Sequence, residues 1–290
     1  MELIRTLAAL AEPPAAEHRR LAELLALDES PTPEKYSQLF LFELPAYASI
    51  YLGDEGMLGG EARDRIAGFW RSIAGEPPAE PDHLPLLLSL YASLVDADTA
   101  VEGGDDRRRH ARAAYFWEHL ASWLPIYLDK ARQVAPTPYD RWSELLLELL
   151  RCEAELLGAP PVPPAALTLA AELPDPRHTG GESFLSALTA PIRTGFILTR
   201  SDLATVAGRL ELAGRQGERR YVLKALLSQD GPRVLGQLAE VAASSSAAYG
   251  RLPAALQPVV EHWRRRATAS ADSLAELAAD AARSAESAGF

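Results

Sequence analysis

Leu84-Pro85-Leu86-Leu87-Leu88-Ser89-Leu90-Tyr91-Ala92-Ser93-Leu94-Val95 wound as a helix puts Leu87, Leu88, Tyr91, Leu94 and Val95 on one wide apolar face. The same period recurs on both sides of it. Glu61 to Ile73 spaces Ile66, Phe69, Trp70 and Ile73 helically and closes at Gly75, and Tyr139 to Leu157 closes at Gly158. Leu, Ala, Glu and Arg dominate and lose little side-chain entropy in a helix, while β-branched residues are sparse. The expected class is all-α, a helical bundle.

Proline punctuates the rest. Pro13-Pro14, Pro31/Pro33, Pro77-Pro78, Pro136/Pro138 and Pro160-Pro161-Val162-Pro163-Pro164 fall between helical patterns, since proline cannot continue a helix but fits its first turn. Ala16 to Leu27 reads as a helix with Leu21, Leu24 and Leu25 on one face, and Thr32-Pro33-Glu34 as a helix start. A short helix from Ala46 ends at Gly53. Residues 96–106 read as an acidic, glycine-broken loop, followed by one long helix from about Arg108 to Arg132 that Pro125 kinks.

Beyond the proline run, 175–181 reads as a loop and Thr199-Arg200-Ser201-Asp202 as a capping box. Helices are expected over 217–228, 232–244 and 253–265, with an alanine-rich tail from Ser270. Gly195 to Thr199 is the single plausible strand. Residues 1–160 and 161–290 are the expected domains, the second a C-terminal helical region packed on the first.

The 290 residues are 24% charged with a net charge of −11, which disfavours nucleic acid and anionic lipid and suits a basic partner. The lone Cys152, in a leucine-rich run, is expected to be a small buried hydrophobe. Neither a secretory signal nor an apolar run long enough to span a membrane is evident, so a cytoplasmic location is expected.

No phosphate-binding glycine loop, G-x-S-x-G elbow or H-E-x-x-H appears. The six histidines are not paired at helical metal spacing, although a site assembled across helices, through His83 and His119, stays open. Pro81-Asp82-His83-Leu84 admits two readings. In one, Asp82 caps the helix that follows; in the other, a carboxylate and an imidazole edge a groove. His119, among Tyr115, Phe116 and Trp123, fits a core histidine. Residues 199–224, with Arg209, Arg215, Arg219, Arg220 and Lys224, have the pattern of a helix-turn-helix, which keeps a DNA-binding regulator as the alternative. Arg107-Arg108-Arg109 and Arg264-Arg265 read as solvated faces.

Several segments in order resemble the TorD/DmsD/NarJ family of redox-enzyme maturation chaperones. They are Tyr36 to Leu52 (YSQLFLFELPAYASIYL), Gly59-Gly60-Glu61, Phe69-Trp70, Glu80-Pro81-Asp82-His83-Leu84, and Phe116-Trp117-Glu118-His119-Leu120 with Trp123 and Pro125. The hinge, Glu80-Pro81-Asp82-His83, is one residue tighter than the family's E-P-x-D-H pattern. The resemblance covers about 34–157, and Ala190 through Asp230 resembles extensions of longer members. It implies a TorD-like bundle with added C-terminal helices and no catalytic residue; no cofactor and a monomer or homodimer are expected. It also implies binding of the N-terminal, often twin-arginine, leader of a molybdopterin-dependent oxidoreductase. The implied peptide-binding residues are Asp82 and His83, supported by Glu80 and Trp70. Tyr47, Tyr51 and Glu118 are further candidates as aromatic or acidic groups near that groove.

Overall fold

The computed structural model describes residues 2–100 and 106–288. Among them there is no β-strand; the one β-type feature is an isolated antiparallel bridge between Tyr47 and His83. The chain divides into two units. Met1–Gly53, Met57–Leu169 and Leu252–Val260 form the first; Asp54–Gly56, Ala170–Arg251 and Glu261–Phe290 form the second.

The first unit holds α1 (Glu2–Leu10), α2 (His18–Leu24), α3 (Pro33–Tyr36), α4 (Ala48–Leu52), α5 (Gly60–Ile73), α6 (Leu84–Thr99), α7 (Asp106–Tyr115), α8 (Leu124–Val134), α9 (Tyr139–Leu157) and α10 (Ala165–Leu169). Two π-helical segments, Ser37–Glu43 and Phe116–Ala121, follow α3 and α7 directly. The core is aromatic. Phe40 meets Tyr139 and Trp142 edge-on at 5.0 and 5.7 Å, and Tyr51 stacks on Trp123 at 5.1 Å. Buried Tyr and Trp need partners for their polar tips, and for four of them the partners are backbone carbonyls. Trp142 Nε1 donates to Leu7 O (2.9 Å), Tyr115 Oη to Leu87 O (3.1 Å), Tyr127 Oη to Leu44 O (3.0 Å) and Trp117 Nε1 to Gly158 O (3.1 Å). Each bond ties two segments far apart in sequence.

Several sequence expectations need correction. The long helix over 108–132 is two helices: a π segment and Trp123 interrupt it, and Pro125 lies in the first turn of α8, where its missing N–H costs nothing. Residues 96–99 of the expected acidic loop belong to α6, and 101–105 lie outside the described residues. On α2 the buried positions are His18 and Ala22, while Leu24 is exposed. His18 earns its interior place by accepting Ala15 N–H through Nδ1 (3.1 Å). Cys152 is exposed, because α9 turns Leu146, Leu149, Leu150 and Ala154 inward instead.

The second unit holds α11 (Pro176–Thr179), α12 (Gly181–Leu188), α13 (Pro191–Thr194), α14 (Arg200–Leu210), α15 (Arg219–Tyr249) and α16 (Gln257–Ala288), whose first residues belong to the first unit. Its core gathers Phe184, Phe196, Leu198, Leu203, Leu223, Leu226, Leu238 and Leu274. Residues 195–199 form no strand: they run as a buried connector into the Thr199–Asp202 capping box. Residues 176–179 are a helical turn capped by Asp175. The expected helices over 217–228 and 232–244 are two arms of α15 bent at Asp230 (φ −154°), just before Pro232, and the alanine-rich tail is continuous with α16.

A charged cluster gathers around a buried arginine in the first unit, with its two carboxylates partly exposed. Arg112, 4% exposed, pairs with Asp98 (3.0 Å) and with Glu153, and Tyr91 Oη also donates to Glu153. Removing the buried guanidinium leaves both largely buried carboxylates without their partner. Arg112→Ala is expected to cost about 3–5 kcal/mol in urea unfolding; a loss below about 1 kcal/mol would mean the cluster behaves as a surface pair.

His119 lies between Phe69 and Tyr115 at 5.2 and 5.3 Å, and burial, reinforced by Arg65, pushes its imidazole down to about 4. Unfolded histidine titrates near about 6.5, so in this window the unfolded chain binds a proton that the folded chain refuses. The contribution is complete above about pH 6.5 and falls by up to about 3 kcal/mol towards pH 4. His119→Phe should flatten the dependence of unfolding free energy on pH across that window. An unchanged slope would assign the effect to other groups.

Candidate functional site

The bridge at Tyr47 and His83 assembles the site. Ala48 N–H donates to Asp82 O (3.0 Å) and Leu84 N–H to Ala46 O (2.8 Å), laying residues 82–84 antiparallel to 46–48. That pairing carries the Asp82 carboxylate over the first turn of α4, where it accepts Ser49 N–H (3.3 Å). Asp82 thus caps α4 from a distant segment. It does not cap α6, whose N-terminal residue His83 makes no side-chain cap. A carboxylate is favoured there by the partial positive charge of the helix start. Asp82 is 2% exposed and Ser49 is fully buried. Ser49 Oγ in turn accepts Gly59 N–H (3.1 Å), which ties the Met57–Gly59 turn to the same knot.

Around this buried knot stand three groups nearer the surface. Tyr47 and His83 rings stack at 4.6 Å and 22°, and Tyr47 Oη donates to Glu80 Oε2 (2.9 Å). Burial and then the Glu80 bond raise the Tyr47 hydroxyl, so it stays protonated and donating. Burial lowers the His83 imidazole below its ordinary value, so at neutral pH it is a neutral ring with one donor and one acceptor. Glu80 is exposed, as are Met57 and Leu58 at 64% and 63%. An accessible acid, a stacked aromatic pair and exposed apolar side chains therefore attach to one rigid joint.

The other expected residues are not drawn into it. Tyr51, 1% exposed, packs on Trp123 and Tyr127 and donates to Pro45 O (2.8 Å). Glu118 accepts Ala165 N–H (3.0 Å) at the start of α10, and burial raises its carboxyl. Trp70 is half-buried on α5, and its Nε1 is buried without a hydrogen-bond partner among the described residues. Sequence reasoning missed Ser49, the hub of the knot; nothing local marks a serine inside an apolar helix as the partner of an acid far along the chain.

The rival readings find little here. Segment 211–218 separates α14 from α15, longer than the three- or four-residue turn of a helix-turn-helix. Its cations are engaged: Arg220 and Lys224 pair with Glu182, and Arg219 donates to Leu198 O. Among the described residues no group of three His, Cys, Asp or Glu side chains converges as metal ligands, and no helix is long and apolar enough to cross a membrane.

No curated protein and no solved structure matches the chain. Residues 7–128 do match the family model described as nitrate reductase delta subunit, which begins and ends earlier than the resembling segments 34–157. Tyr47, Tyr51, Trp70, Glu80, Asp82, His83 and Glu118 all lie inside that match. The part of the chain that carries the Tyr47–Glu80–Asp82–His83 joint is thus similar to the NarJ-type family of redox-enzyme maturation chaperones, a family of assembly factors and not of catalysts.

Proposed function

We propose that this chain is a cytoplasmic chaperone for the catalytic subunit of a molybdopterin-dependent oxidoreductase, and that it holds that subunit's N-terminal, twin-arginine-type leader at the Tyr47–Glu80–His83 joint. The family match over 7–128 carries the reading. The joint's chemistry supports it. Such a leader presents guanidinium groups ahead of an apolar segment able to form a helix, and a receptor for it needs an accessible acid beside apolar surface. Glu80 is that acid, held in place by Tyr47. Met57 and Leu58 are the apolar surface, and the net charge of −11 favours a basic ligand at longer range.

Asp82 has a different part. Its carboxylate is spent on Ser49, so it positions the joint and leaves Glu80 and His83 to touch the leader. Tyr51 and Glu118 act through the packing beneath.

Magnitudes rank these contributions. An exposed Glu–Arg pair is worth under about 1 kcal/mol, whereas covering Met or Leu is worth about 1.5–3 kcal/mol each. The apolar contacts set affinity and the acid sets specificity. The test is calorimetry of the full chain with a synthetic leader bearing two adjacent arginines and a leucine-rich segment. Glu80→Gln is expected to weaken binding up to about fivefold, an effect lost at high salt. Met57→Ser with Leu58→Ser should weaken it more than tenfold, with helix content unchanged. Unchanged affinity in Glu80→Gln, His83→Ala and the apolar variant alike would remove the joint as the leader site.

A further inference from the structure

One face of α16 in the second unit has a composition at odds with the rest of this acidic chain. His262, Arg265, Arg266, Ser270 and Ser273 recur at helical spacing, so one stripe carries two guanidiniums, an imidazole and two hydroxyls. Arg193, from α13, is brought to the same stripe by the local backbone. Gly195 follows α13 in the left-handed region (φ 80°), and a Cβ there would lie 2.2 Å from Ala267 N and 2.8 Å from Trp263 O. Only glycine lets the 191–195 turn lie so close to α16.

We propose that this stripe forms a binding site for a phosphate-bearing small molecule, in a cavity of about 300 Å³ lined by Arg193, His262, Arg265, Arg266, Ser273 and Glu172. Among the described residues none of the three guanidiniums has a carboxylate within ion-pair distance. Arg266 is held by the carbonyls of Ala170, Ala171 and Ile192, and Arg193 by the carbonyl of Glu172. These bonds fix the direction of both side chains without an ion pair, and Glu172 and Asp54 attract Arg266 only at longer range. Arg265 is exposed, and His262 lines the cavity while its Nε2 is buried and makes no hydrogen bond among the described residues.

The lining itself carries three guanidiniums and one carboxylate, Glu172, with Asp54 near Arg266 and the Arg264-paired Glu261 near Arg265 outside it, and this local excess of positive charge favours a phosphate anion. Planar guanidinium forks suit phosphate oxygens in particular. The volume accommodates a small phosphorylated molecule. Burial first, and then Arg266 and Arg265, depress the His262 imidazole to about 4, as expected where positive charge already crowds the site.

The test is calorimetry of the full chain with inorganic phosphate at fixed ionic strength. The expected result is saturable binding at one site per chain, weakened at least tenfold in Arg265→Gln and unchanged in Arg251→Gln, an arginine outside the cavity. Arg193→Gln should weaken it as well. If that variant misfolds through loss of the Glu172 carbonyl bonds, Arg265→Gln, at an exposed arginine with no ion pair among the described residues, still decides. The His262 imidazole proton resonances should also shift on saturation. Ribose 5-phosphate distinguishes the sources: displacement of phosphate identifies a phosphomonoester site, and binding of phosphate without displacement identifies a site for the free ion. Absence of saturable binding by either ligand, or full affinity in Arg265→Gln, overturns the proposal.

Discussion

The antiparallel bridge between residues 46–48 and 82–84 is the constraint on which the candidate site rests. Two backbone hydrogen bonds hold the connection between α5 and α6 against the start of α4, and the buried Asp82–Ser49 bond locks them. A backbone hydrogen bond contributes about 1 kcal/mol net. Their weight here comes from burial, since each unmade bond would leave an orphaned polar group without water. The same pairing decides which groups remain outside. It turns Asp82 inward and leaves Glu80 and His83 near the surface beside Tyr47. Function in such a joint divides between a residue that cannot be reached and neighbours that can.

The remainder of the first unit solves a related problem. Its helices are interrupted at π segments and at Trp123, and interruptions expose carbonyls that a continuous helix would satisfy. The buried aromatics answer this with their polar tips: Tyr127 reaches Leu44 O at the end of one π segment, and Trp123 Nε1 reaches His119 O within the other. A core of leucine alone would fill the volume and leave those carbonyls bare. The aromatic content, only 7% of the chain, is therefore concentrated where it serves both packing and hydrogen bonding.

Two half-buried or buried arginines, Arg112 in the first unit and Arg266 in the second, are held differently. In the first, Arg112 is buried and paired with Asp98 and Glu153, with Tyr91 against it. In the second, Arg266 is half-buried among carbonyl dipoles, and burial lowers its guanidinium, helped by neighbouring Arg193. A charge paired within the fold is costly to strip of its partner, whereas one hydrogen-bonded to carbonyls without an ion pair keeps an attraction for an outside anion.

Local chemistry was legible in the sequence wherever it acts over one or two turns. The helical period of Leu84 to Val95, the Gly158 stop after α9, the Thr32 and Thr199 caps and the all-α class follow from spacing and capping alone, because their partners lie three or four residues away. The residues that meet at the hinge were also legible, through the order of the motifs that carry them. Their division of labour was not. That Asp82 caps α4, that Cys152 faces outward, that Pro125 opens a helix, and that Arg193 joins the stripe on α16 all depend on contacts between segments distant along the chain. One-dimensional spacing holds no record of which buried group another segment will leave in need of a partner, and only the folded chain decides that.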